Sequence, residues 1–250
     1  MDNFLWQTNH KELLVYANKE AGEMLLSGVS YTNNPNNFFS PINNWLISYI
    51  SEQTKQLNFH IALSDRDAFS YNSILTIFTI INSDKNKEKV KVFWHYNDND
   101  IDILEDGEDF KDIAKFPFEL IEHKNTEDFT SPKSEQSPLV YFDSAGDFIM
   151  EGTSNVDNPM WFFTKPLVWL NNQLITNKLK NINFEVNLYS ISTSNIPFIK
   201  AILLTIDELN KKGCMVKIKW CYSNQEVEKI GEHILELVSS HYYFEEVASS

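Results

Sequence analysis

The chain has 250 residues, with 21 Lys plus Arg against 35 Asp plus Glu and a formal net charge of −14. That excess excludes a nucleic-acid backbone or an anionic membrane surface as a natural partner, while basic protein surfaces are steered in. With 18 Phe, 10 Tyr and 6 Trp but 7 Gly, it has the composition of a folding chain with a substantial core, not of a disordered acidic one.

The start, MDNFLWQTNH, has Asp2 where a signal peptide carries basic residues, and the longest uncharged apolar run, ILTIFTII at 74–81, is far short of a membrane span. Cys214 and Cys221 flank one expected strand and cannot easily meet as a disulfide. The expectation is a cytoplasmic protein in a reducing compartment, with no membrane partner.

In chain order, LLVYANKEAGEMLLSG reads as a hairpin of two apolar-rich strands around a Gly-containing turn. Ser40 then Pro41 reads as an N-cap with proline at the first helical position, opening a helix with Ile42, Trp45, Leu46, Tyr49 and Ile50 at helical spacing. A strand follows over Leu57–Leu63, a helix over Ser73–Ile81, the strand VKVFWHY, an acidic turn, a third helix and a last strand near FPFELI. The same order then recurs. Leu14, Val15 and Tyr16 fall on Leu139, Val140 and Tyr141; Gly22 and Gly28 fall on Gly146 and Gly152. Pro35, Phe38, Phe39, Trp45 and Leu46 fall on Pro159, Phe162, Phe163, Trp169 and Leu170, and Trp94 and Tyr96 on Trp220 and Tyr222. A unit of about 125 residues is a whole domain by size. The expected organisation is α/β: two tandem homologous domains, 1–124 and 138–250, each a mixed β-sheet packed with helices in the order ββαβαβαβ. Between them, the polar and proline-bounded 125–137 reads as a linker.

Few residues suggest chemistry. The acidic run NDNDIDILEDGEDFKD places Asp98, Asp100 and Asp102 at alternate positions, followed by Glu105, Glu108 and Asp109. A calcium loop of the EF-hand type needs a glycine directly after its third acidic position. Ile103 stands there, and Gly107 comes too late. Carboxylates in the first turn of a helix, on a solvated face, are the simpler reading, and a metal-dependent enzyme built on this loop is the lesser alternative. The six histidines have no zinc spacing, and His60 and His95 read as sheet-surface residues. No catalytic set, metal site or cofactor site is expected.

The order SGVSY, NNFFSPINNWL and WHYNDNDIDILEDGEDF resembles the SiaC family of bacterial regulatory phosphoproteins, once per half. The resemblance implies a small α/β domain, similar to anti-sigma-factor antagonists, without catalytic activity. It also implies phosphorylation by a dedicated kinase, dephosphorylation by a PP2C-like phosphatase, and binding of a diguanylate cyclase. The family's phosphorylated threonine, in an NTSS-like segment, matches Thr193 of STSN at 192–195, with Ser192 and Ser194 beside it. The first copy has DAFS at 67–70, with Ala68 in that place. The family's Pro-Glu-Asn turn is replaced by TNN at 32–34 and NVD at 155–157. Independently of the resemblance, a helix N-terminus offers N–H groups and a positive dipole end that would hold a phosphate, and the same hydroxyls serve as helix caps. Two readings stand: a phosphoprotein switched at Thr193, or a constitutive scaffold, a pseudo-dimer made by duplication. Homodimerisation of the whole chain stays open.

Overall fold

The computed structural model describes residues 4–7, 13–31, 35–52, 55–85, 87–176 and 178–247. It divides into two compact units, Met1–Asn125 and Thr126–Ser250. The first contains β1 (Phe4–Gln7), β2 (Leu13–Asn18), β3 (Glu23–Ser30), α1 (Pro35–Glu52), β4 (Leu57–Arg66), α2 (Ala68–Ser83), β5 (Val90–Asn97), α3 (Ile101–Ile113) and β6 (Phe118–His123). The second repeats the series as β7 (Phe129–Ser131), β8 (Leu139–Phe142), β9 (Asp147–Ser154), α4 (Pro159–Thr176), β10 (Asn181–Ile191), α5 (Ile196–Lys211), β11 (Met215–Tyr222), α6 (Gln225–Leu235) and β12 (His241–Glu246).

Each unit holds a mixed six-stranded sheet whose spatial order is its chain order, β1 to β6 and β7 to β12. The first two pairings of each sheet are antiparallel and the last three parallel. The hairpin turns between β2 and β3 and between β8 and β9 need glycine: Gly22 and Gly146 have φ of 72° and 96°, and a Cβ on Gly146 would lie 1.9 Å from the Asn181 carbonyl oxygen. Every later connection is a βαβ crossover. Right-handed crossovers that all step the same way place their helices on one face of the sheet.

Period-2 alternation then sorts the side chains. In the first unit Leu57, Phe59, Ile61, Leu63, Val90, Val92 and Trp94 join residues of all three helices, among them Trp45, Phe78 and Phe110, in one buried core. In the second, Phe148, Met150, Phe184, Val186, Ile218 and Trp220 occupy the same inward positions and are buried. The helix-free faces differ in composition. The first unit's carries Leu25, His60, Ala62, Phe93 and His95, whereas the second's carries a groove of about 350 Å³ lined by Asp147, Asn183, Glu185, Lys217, Lys219 and Tyr243.

Three expectations need correction. Each unit has one more strand than the hairpin pattern suggests, giving βββαβαβαβ. The extra strand β7 lies inside the expected linker 125–137, where Phe129–Ser131 pairs with Phe142–Val140 and covers the edge of β8. Three residues are too few to show alternation, so only backbone pairing defines this strand. The first helix does not open at Ser40. It starts at Pro35, and Pro41 is internal, as is Pro166 in α4. An interior proline costs about 3 kcal/mol, but starting later would leave Phe38 and Phe39 off the helix that buries them to 5 % and 2 % exposure. Lastly, the helix expected over Ser73–Ile81 extends over Ala68–Ser83, because Asp67 caps it by accepting from the Ser70 N–H at 2.7 Å.

Candidate functional site

In both units the three parallel strands that lead into helices end on the same side of the sheet, so the helix N-termini gather there. Equivalent contacts show how the two copies correspond at this end. The Asp67 N–H donates to the Ser30 carbonyl (3.1 Å), and the Ser192 N–H donates to the Ser154 carbonyl (2.9 Å).

Thr193 stands in the turn that joins β10 to α5, exposed, and its side chain makes no hydrogen bond among the described residues. The neighbouring polar groups are used. Asn195 Nδ2 donates to Ser192 Oγ (2.6 Å), Ser194 Oγ (3.1 Å) and the Val156 carbonyl (3.2 Å). Its Oδ1 accepts from Ser154 Oγ and the Val156 N–H, both at 3.2 Å. These residues were expected to cap the helix. Asn195 does occupy the cap position, but its side chain makes no capping bond. It is turned back to tie the Thr193 turn to the end of β9. The TNN turn at 32–34 lies outside the described residues. In NVD, Asn155 Nδ2 donates to Ser190 Oγ at 3.2 Å.

The first unit starts its matching helix at Ala68 itself. Asp67, in the place of Ser192, puts a permanent carboxylate where the second copy has a hydroxyl. Phe69 follows it, 65 % exposed, and Ile101 on the first turn of α3 is equally exposed.

The acidic run is dispersed. Asp100 caps α3, accepting from the Ile103 N–H at 3.2 Å. Burial raises its carboxyl, the Ile103 N–H opposes that, and Asp102, Asp65 and Asp106 add to the rise. Asp98 is exposed and accepts from the Asn125 N–H at 3.0 Å. Asp102, Glu105, Glu108 and Asp109 are exposed along α3. Among the described residues no cluster of three or more His, Cys, Asp or Glu side chains is placed to hold a metal ion.

Two features escaped the sequence reading. Arg66, at the end of β4, grips the buried Asp106 with two hydrogen bonds of 2.6 and 2.5 Å and lies over the Tyr71 ring, 5.3 Å from its centroid. Tyr31 donates to the neighbouring Asp65. Nothing local in the sequence marks a pair forty residues apart. The second feature corrects the view of His60 and His95 as sheet-surface residues: both are buried, 1 % and 2 % exposed. They form a chain of rings across the sheet, His60 Nδ1 to His95 Nε2 at 2.9 Å and His95 Nδ1 to His123 Nε2 at 2.8 Å. Burial pushes His60 down to about 3. His95 lies well below its ordinary value, through burial first and the two flanking imidazoles second.

The structure thus defines a two-fold repeat of a mixed α/β unit with a polar hydroxyl turn in one copy. Comparison with known proteins makes that specific. The model of a family described as SiaC family regulatory phosphoprotein matches the chain twice, over residues 7–123 and 131–246. The chain therefore belongs to the SiaC family, as two tandem SiaC-like domains. An uncharacterized protein of Pseudomonas aeruginosa strain UCBPP-PA14 is 22 % identical over 105 residues, 42 % of this chain and 83 % of that one. Among solved structures, apo-SiaC from P. aeruginosa is 23 % identical and covers 48 % of this chain and 99 % of its own, with a TM-score of 0.44. The P. aeruginosa diguanylate cyclase SiaD in complex with its activator SiaC matches with 19 % identity, covering 48 % of this chain and 99 % of that one, with a TM-score of 0.45. Among the described residues no helix is long and apolar enough to cross a membrane.

Proposed function

We propose that the chain is a non-enzymatic regulatory phosphoprotein that works by binding signalling proteins, with its switch in the second unit at Thr193. The observation that carries this reading is the contrast between the copies. Thr193 offers an exposed hydroxyl on a turn ahead of a helix, while the first copy has Ala68 in that place and a fixed carboxylate beside it. A phosphate on Thr193 adds nearly two negative charges next to the N–H groups that open α5. Lys200, one turn into α5, makes no ion pair among the described residues and stands on the same helix end. Phosphate there would pull on the Ser192, Ser194 and Asn195 network and reshape the surface a partner meets.

The first unit, which cannot accept phosphate at Ala68, serves as the constant docking half. Phe69 and Ile101, among Asp67, Asp102 and Glu105, suit a partner segment that carries both apolar and basic residues. The enzymes implied are a protein kinase, a PP2C-like phosphatase and an effector of the diguanylate cyclase class.

Co-expression with a cognate kinase, followed by phosphopeptide mapping, tests the switch. Phosphate is expected on Thr193, and its absence from 192–194 would sink that assignment. Thr193→Glu is expected to weaken the effector complex in a calorimetric titration while Thr193→Ala leaves it intact, both with unchanged melting. Equal affinity with and without phosphate would return the chain to a constitutive scaffold.

A further inference from the structure

The second sheet ends on β12, which among the described residues pairs with β11 alone. Its other edge carries backbone N–H and C=O groups with no strand among the described residues to receive them, and such an edge is a template for another strand. Most of it is solvent-facing: His241, Tyr242, Tyr243, Glu245 and Glu246 are exposed, Tyr242 to 37 % and Tyr243 to 47 %. Aromatic side chains at these exposures are unusual on an edge that is to stay unpaired.

The register with β11 fixes which way these residues face. Lys217, Lys219 and Cys221 lie opposite His241, Tyr243 and Glu245, and the groove that Tyr243 lines belongs to the helix-free face. His241, Tyr243 and Glu245 therefore share that face, and Tyr242 and Phe244 point to the helix side, where their ring centroids are 6.2 Å apart.

We propose that two copies of the chain associate through β12, antiparallel about a two-fold axis perpendicular to the sheet and centred on Tyr243. An axis of that kind keeps the two helix layers on one side, so facing residues must come from the same face of each strand. Centring on Tyr243 meets this condition and sets His241 opposite Glu245 of the second copy, twice. It also sets Tyr242 opposite Phe244, twice, with the two Tyr243 side chains meeting on the axis. The strand HYYFEE is thus complementary to itself, a carboxylate facing an imidazole that can donate a hydrogen bond to it and ring facing ring, with no two carboxylates opposite each other. Glu245 enters the pairing already positioned, because Lys219 holds it at 2.9 Å.

The corresponding edge of the first unit lacks this property. Centring β6 on Leu120 sets Phe118 against Glu122 and Glu119 against Ile121. Centring it on Ile121 sets Glu119 against His123, but it also sets Leu120 against the Glu122 carboxylate, twice, and His123 is already engaged by His95.

Sedimentation velocity of the full chain over a range of concentrations, with amide hydrogen exchange at low and high concentration, tests this. A monomer–dimer equilibrium is expected, with residues 241–246 gaining protection as the dimer forms. His241→Glu faces two carboxylate pairs across the axis and should weaken the dimer about tenfold. The swapped double variant His241→Glu with Glu245→His should restore it. Tyr243→Lys, which brings two cations together on the axis, should abolish it at the same concentrations. A chain that is monomeric throughout overturns the proposal. So does a dimer that ignores all three variants, or one whose protection falls outside β12.

Discussion

Arg66 with Asp106 in the first unit, and Ile191 with Ile230 in the second, occupy the same two places. Arg66 pairs in register with Ser30 and Ile191 with Ser154, while Asp106 and Ile230 each precede the glycine that faces a tryptophan. One copy has an ion pair at these two positions, the other two aliphatic side chains. Removing one member of a buried pair is costly because the other loses its partner, whereas replacing both by apolar groups is often neutral. Arg66 keeps 30 % of its side chain exposed, so the penalty is discounted. Asp106→Ala should lower urea stability by about 2 kcal/mol, and the double change Arg66→Ile with Asp106→Ile should recover most of it. If the double variant is no better than the single one, the two sites are not interchangeable. At this scale the sequence was only partly legible. The exposed Thr193 could be found from a helix-start pattern and a resemblance. The turning away of Asn195 from its cap position could not, because it depends on Ser154 and Val156, some forty residues earlier.

α3 and α6 show what can be read of an element and what cannot. Their sequences share little beyond a glycine, and the reason for that glycine lies on a neighbouring strand. A Cβ on Gly107 would come within 2.5 Å of Trp94 Cδ1, and one on Gly231 within 2.5 Å of Trp220 Cε2. Each indole, buried to 0 % exposure, also donates from Nε1 into the helix, to the Ile103 carbonyl at 2.9 Å and the Val227 carbonyl at 3.2 Å. Alanine favours an exposed helix by about 1 kcal/mol over glycine, but here it would push the helix off an indole that has no room to retreat. Gly107→Ala and Gly231→Ala should each be destabilising by about 1–3 kcal/mol and lower the melting temperature. A rise in melting temperature would mean that the helix shifts freely. Strand and helix identity was legible wherever alternation or helical spacing ran for several residues, as in β4 and α2. Element ends were not, because the start of α1 is decided by Phe38 and Phe39 reaching the core and not by the Ser40–Pro41 signal.

For the whole molecule, duplication has separated the pH responses of the halves. In the first unit His60 and His95 are neutral when folded, with their values pushed below the ordinary 6.5, His60 to about 3. An unfolded chain takes up those protons as pH falls through about 6.5, so stability is full above that value. Below it, stability declines by up to about 1.4 kcal/mol per pH unit for each histidine. The second unit has Glu185 and Cys221 in their places, and burial pushes the Cys221 thiol up to about 11, so it stays neutral through this range. Its Asp207 is buried, which alone would raise the carboxyl. Hydrogen bonds from Ser240, Ser239 and Lys211 outweigh burial and hold it below the ordinary 3.8. That contribution is present above 3.8 and is lost only as pH falls through the depressed value. Amide exchange should therefore show residues 13–123 losing protection between about pH 6.5 and 5 while 139–246 keep theirs, and simultaneous loss would contradict it.

Strand order that follows chain order also bears on how the protein is made. No strand waits for a distant partner, so the first unit can complete its sheet before the second has left the ribosome, a lag of roughly 6–25 s for half the chain at ordinary rates of synthesis. Tandem homologous neighbours are prone to exchanging elements while still incomplete. The helix-free faces disfavour such an exchange: β11 inserted between β4 and β6 would set Lys219 in the place of Phe93, beside His60, and strand its ammonium group among imidazoles and carbon.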